Sequence, residues 1–82
     1  MAKTFQVGVY SSDKIIFEGA VVSLIAPSVL GSLGILADHA PLAAKLSSGK
    51  IVIRTLEGST NVIDSLSGGF LQILHNQATL FL

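Results

Sequence analysis

In Lys50-Ile51-Val52-Ile53-Arg54-Thr55-Leu56 the side chains separate with a period of two: Ile51 and Ile53 fall on one face, Lys50, Val52 and Arg54 on the other. That is a strand with one buried face. Downstream, Glu57-Gly58-Ser59 turns the chain into a second run at 60–64, at the spacing of a β-hairpin. Ser67-Gly68-Gly69 then introduces a strand at 70–75, and His75-Asn76-Gln77 reads as the turn of a last hairpin ending in 78–82. Upstream, Phe5, Val7 and Val9 alternate with Gln6 and Gly8, and Ser11-Ser12-Asp13 makes a turn before Ile15-Ile16-Phe17 and a break at Gly19. The β-branched run 21–26 is ended by Pro27, which cannot donate to a ladder. Glycines at 31 and 34 make 28–36 a tight loop leading into a brief extended segment. Residues 42–46 fit one helical turn or a strand, with strand preferred, before the turn at Ser47-Ser48-Gly49. Turn chemistry recurring about every 8 to 12 residues is the mark of an all-β sandwich or barrel. The expectation is an all-β, two-sheet β-sandwich of about ten short strands, with residues 1–82 as one domain.

The chain has 82 residues, 50% of them hydrophobic and 12% charged, against an average charged share of about 25%. Ordering costs roughly 1.5 kcal/mol per residue, so most of the apolar side chains must be buried to leave a net stability of about 5 kcal/mol. With so little charge to cover a high surface-to-volume ratio, some apolar area is expected to stay exposed and to mark a partner site. Five basic and five acidic residues give a net charge of zero, which lacks the positive footprint that nucleic acid selects. No cysteine is present to form a disulfide. The stretches 19–37 and 65–82 carry no formal charge. Ser23, Pro27, Ser28, Gly31, Ser32 and Gly34 interrupt the first, and no lysine or arginine cluster orients it, so strands and turns are expected rather than a membrane span. Met1-Ala2-Lys3-Thr4 leads straight into a strand with no room for a secretory or transit segment, so the chain is expected to be made and used in one compartment.

Chemistry on this chain is not expected. Asp38 and His39 are adjacent, and on an extended chain they point to opposite faces, unlike an oriented base pair. Zinc wants three or four nitrogen or sulfur ligands, and the sequence offers only His39 and His75. No serine lies in a G-x-S-x-G elbow, and no P-loop lysine follows the glycines at 31, 34, 68 and 69. Ser67 reads as a turn residue and His75 as a hairpin-end residue. No catalytic residue, metal site or cofactor is assigned.

The segment Gly31-Ser32-Leu33-Gly34-Ile35-Leu36-Ala37-Asp38-His39-Ala40-Pro41-Leu42 resembles the G-x-L-G-I-L-x-x-H-A-P-L signature of the epsilon subunit family of F-type ATP synthase. Ser67-Gly68-Gly69-Phe70 resembles its second signature, and Phe17-Glu18-Gly19 and Gly49-Lys50-Ile51-Val52-Ile53-Arg54 follow in the same order. The resemblance implies a non-catalytic central-stalk (rotor) domain that docks on the gamma subunit and touches the polar loops of the membrane rotor ring during proton- or sodium-driven ATP synthesis. It would lie peripherally on the cytoplasmic face of a bacterial inner or thylakoid-type membrane. Carried over residue by residue, the partner-binding positions are Ser28, Val29, Leu30, Gly31, Ser32 and Leu33, with His39, Ala40, Pro41 and Leu42. Leu30, Leu33, Ile35 and Leu36 are divided between core and interface. Two departures stand out. Members often carry an acidic residue where this chain has Ser32, which removes the charge a contact with basic groups of the ring would use. Many members also continue into a C-terminal helical hairpin that regulates ATP hydrolysis, whereas this sequence stops at Leu82; a short natural form or a truncation is expected, and no hairpin-borne inhibition is assigned. The reading from a different class is a free-standing β-sandwich that takes a small apolar ligand between its sheets.

Overall fold

The computed structural model describes residues 3–82; Met1 and Ala2, which open the lead-in read above, lie outside the described residues. Eight strands account for the regular structure: β1 (Phe5–Ser11), β2 (Lys14–Ser28), β3 (Gly31–Ile35), β4 (Leu42–Leu46), β5 (Gly49–Thr55), β6 (Thr60–Ser65), β7 (Gly69–Leu74) and β8 (Gln77–Phe81). The all-β sandwich is what the sequence patterning led to expect, with eight strands in place of about ten.

Two layers follow from the pairings. One runs β4-β7-β8-β1 and ends on the first half of β2. The other is β3, the second half of β2, β5 and β6. The long β2 belongs to both layers, and its register with β5 slips between Val21 and Ser23. A bulge at that point lets one strand turn a sandwich corner. At its far end Ser28 pairs with Leu46 of β4, so the layers are tied at both edges.

The strand that differs most from expectation is β2. Gly19 was expected to break it and Pro27 to end it, whereas the strand runs through both. Gly19 continues the ladder opposite Val7 because β1 pairs with β2 on either side, from Phe5↔Val21 to Ser11↔Lys14; tertiary pairing outweighs the entropy of one glycine. Pro27 does end one ladder: pairing with β5 stops at Ile25↔Val52. Pairing with β3 continues through Pro27↔Ser32 to Ser28↔Gly31. The Pro27–Ser32 pair lies next to the hydrogen-bonded pair that closes the hairpin, where residues exchange no N–H bonds. The Pro27 carbonyl faces away from β3 and accepts from Ser47 N–H at 3.0 Å. Two expected strands are therefore one, which accounts for most of the difference in number.

The core is built largely from alternate positions, Val7 and Val9, Ile51 and Ile53, Leu71 and Ile73, Ala78 and Leu80, with Val21 and Leu24 on either side of the β2 bulge, all at 3% exposure or less. Ile51 and Ile53 face inward and Lys50 and Arg54 outward, as their alternation requires. Gly68 and Gly69, at φ 79 and φ 154, carry the chain from the second layer into the first. A Cβ at Gly68 would meet the Leu46 carbonyl and one at Gly69 the Phe81 carbonyl, so the Ser67-Gly68-Gly69 turn requires residues without side chains.

Candidate functional site

Ser28 begins the first part of the site. Its hydroxyl accepts from Leu30 N–H at 3.2 Å and donates to the Gly31 carbonyl at 2.6 Å. These bonds close a two-residue loop that holds Val29 and Leu30 at its tip, with Gly31 at φ 126 completing the turn. Val29 N–H donates to the Lys45 carbonyl at 3.0 Å, pinning the tip beside β4. Leu30 is 96% exposed. Ser32 is exposed and Leu33 packs partly on the core. Of the leucines and isoleucine divided between core and interface, Ile35 is buried while Leu30 and Leu36 are exposed.

The second part precedes β4. Asp38 and His39 were read as extended; the chain instead turns at Asp38, whose φ is 64. Asp38 bonds Lys3 and Asn76 rather than His39. Its carboxyl is held below the usual carboxylate range, first by the Asn76 amide and then by the Lys3 ammonium. His39 Nδ1 lies 2.7 Å from the Ala40 carbonyl. A carbonyl only accepts, so Nδ1 is the donor in this contact and Nε2 is left facing away from it.

These parts converge on β4. Val29, Leu30 and Leu33 share a small groove of about 210 Å³ with Leu42, Ala43 and Ala44. Leu42, Ala43 and Ala44 also line a larger groove of about 680 Å³ on the outer face of the first layer, together with Pro41, Phe70, Leu74 and Phe81. Gly31 and Ser32 line neither groove, and neither do His39 and Ala40. Cross-strand register makes Lys45, Phe70, Phe81 and Tyr10 one row across β4, β7, β8 and β1. The Tyr10 and Phe81 rings lie 6.0 Å apart, and Tyr10 donates its hydroxyl to Glu18 at 2.8 Å. That bond is the main cause of a Tyr10 pKa raised above the usual phenol value.

Phe70 entered the sequence reading only as part of the Ser67-Gly68-Gly69-Phe70 motif, and neither it nor Leu74 and Phe81 was assigned to a partner site. One signal was available: Leu71 and Ile73 share one face while Phe70 and Leu74 flank Gln72 on the other, so when one pair is in the core the other meets solvent or a partner. Leu66, 86% exposed in the turn after β6, was also missed. That turn approaches Leu46 and Ser47 through Gly68, which puts it at the same end of the sandwich as Val29 and Leu30. Among the described residues, no group of three or more His, Cys, Asp or Glu side chains gathers to hold a metal.

The family model for the ATP synthase Delta/Epsilon chain β-sandwich domain matches residues 4–81. An ATP synthase epsilon chain of Dichelobacter nodosus is 38% identical over 98% of this chain and 55% of its own length. One of Chlorobium limicola is 36% identical over 95% of this chain and 88% of its own length. The chain spans 54 to 61% of the first three curated relatives it matches. Among solved structures, a chain of the Euglena gracilis mitochondrial ATP synthase superposes with a TM-score of 0.88 at 19% identity, covering 95% of this chain and 49% of that one. A chain of the Tetrahymena thermophila mitochondrial ATP synthase central stalk gives 0.78 at 15% identity over 98% and 63%. At those identities the superpositions show the fold alone. The model spanning 4–81 and the identities over nearly the whole chain show the family: this chain belongs to the ATP synthase Delta/Epsilon chain β-sandwich domains.

Proposed function

We propose that this chain is a non-catalytic central-stalk subunit of an F-type ATP synthase, acting as one rigid domain that couples the gamma subunit to the membrane rotor ring. The observation that carries this reading is the apolar outer face of the first layer. Phe70, Leu74 and Phe81 are all exposed there around an open groove, and apolar patches of this kind mark a protein interface. Gamma would cover this face, reaching Pro41 and Leu42 with His39 and Ala40 at its margin. The rim made by Ser28, Val29, Leu30, Gly31, Ser32 and Leu33 would meet the rotor ring. Ser32 brings no charge to that meeting, so contacts at the rim would rest on Leu30 and on backbone groups. The domain would sit peripherally on the cytoplasmic face of a bacterial inner or thylakoid-type membrane.

The groove among Phe70, Leu74 and Phe81 opens on the outer face of the first layer rather than between the layers, which favours a docked partner over a small ligand held inside. Co-purification with gamma at about 1 M salt, where the Debye length is about 3 Å, tests the reading. A complex held by apolar burial survives; loss of the complex at moderate salt would contradict an apolar interface.

A further inference from the structure

The connection from β3 to β4 leaves one layer and enters the other. Among the described residues, its backbone makes no backbone hydrogen bond between the end of β3 at Ile35 and the start of β4 at Leu42. What ties it down is Asn76, in the tight turn of the β7–β8 hairpin. Asn76 Oδ1 accepts from Asp38 N–H at 2.6 Å, and its Nδ2 donates to Asp38 Oδ1 at 3.0 Å. The other carboxylate oxygen, Oδ2, accepts from Lys3 Nζ at 2.9 Å. Only this orientation of the Asn76 amide satisfies both bonds, since N–H must donate and the carboxylate must accept. The Asn76 carbonyl accepts from Gln6 N–H at 2.9 Å, so the hairpin tip is itself anchored to β1. Both residues have positive φ, 64 at Asp38 and 58 at Asn76, a conformation that Asp and Asn tolerate better than most.

We infer that Asn76 and Asp38 form a reciprocal clamp that sets the conformation of residues 39–42 and so positions His39 and Pro41 for the partner on the adjoining face. The inference rests on the reading proposed above. Asn76 is a positioning residue: it lines neither groove and acts through Asp38. Unclamped, the crossover would sample several conformers, and a partner would have to select one of them, which lowers its apparent affinity.

Two variants separate the clamp from a general effect on folding. Asn76→Gly keeps the positive φ and deletes the amide; Asp38→Asn keeps an acceptor for Asn76 and drops the Lys3 ion pair. In this chain alone, Asn76→Gly is expected to speed Asp38 amide exchange about tenfold and to shift the resonances of 39–42, leaving the core amides unchanged. Affinity for gamma should fall about fivefold to tenfold, while Asp38→Asn stays near wild type on each readout. Unchanged Asp38 exchange and unchanged resonances in Asn76→Gly would overturn the clamp. Altered resonances with unchanged gamma affinity would overturn its positioning role. Because the exchange readout needs no partner, a wild-type chain that fails to bind gamma refutes the proposed function while the clamp is still decided.

Discussion

Replacing Gly69 with alanine sets a side chain against the Phe81 carbonyl at a φ of 154. The backbone penalty alone is about 1–3 kcal/mol, so urea denaturation of Gly69→Ala should show a loss of at least that size. His75 offers the opposite case. It holds φ 51 beside Asn76 at φ 58 in a turn whose geometry matches the strand twist. His75→Asn should raise stability by about 0.5–1 kcal/mol, because asparagine accepts that conformation more readily; a lower midpoint in urea would contradict this. Asp38 has a carboxyl pKa depressed by Asn76 and Lys3. Its contribution is therefore fully present above the unfolded value of about 3.9 and is lost as pH falls through the lower folded value. An NMR titration should place the Asp38 midpoint below the usual 3.8, and Asn76→Gly should bring it back up. At this scale the turn at His75-Asn76 was legible in the sequence. The bond from Asn76 to Asp38 was not, because nothing local links residues 38 positions apart.

Period-two alternation identified β1 and β5 because each has a buried face whose pattern is local, whereas β7 was placed by the turns on either side of it. In β2 local signals and pairing disagreed. Gly19 and Pro27 punctuate the sequence, but β1 and β3 supply partners across both positions, and which ladder a proline interrupts depends on register. The outer face of β7 and β8 was legible only in part: β7 carries apolar residues on both sides, but Phe70 and Phe81 become neighbours only through the register of the hairpin. Within β5 the two faces should respond unequally. Ile53, fully buried opposite Leu24, should cost about 2–5 kcal/mol when cut to alanine. Arg54, exposed on the other face, should cost no more than about 0.5 kcal/mol. Equal losses in thermal denaturation would mean that β5 is not packed on one face.

Taken whole, the molecule is a filled sandwich that leaves Leu30, Leu66, Phe70, Leu74 and Phe81 in solvent. The scarcity of charge in the sequence made exposed apolar area foreseeable; exposed apolar side chains lie on both layers, and the cluster of Phe70 and Phe81 on the first emerges only from strand register. The chain alone should bind a hydrophobic dye, and gamma should displace it. Hydroxyl-radical footprinting decides the central claim, since it reads side-chain exposure residue by residue with and without gamma. Labelling of Phe70, Phe81 and Pro41 should drop on complex formation while Ile25 and Val62, exposed on the opposite layer, keep theirs. Undiminished labelling of Phe70 and Phe81, or protection confined to Ile25 and Val62, would contradict docking through the first layer.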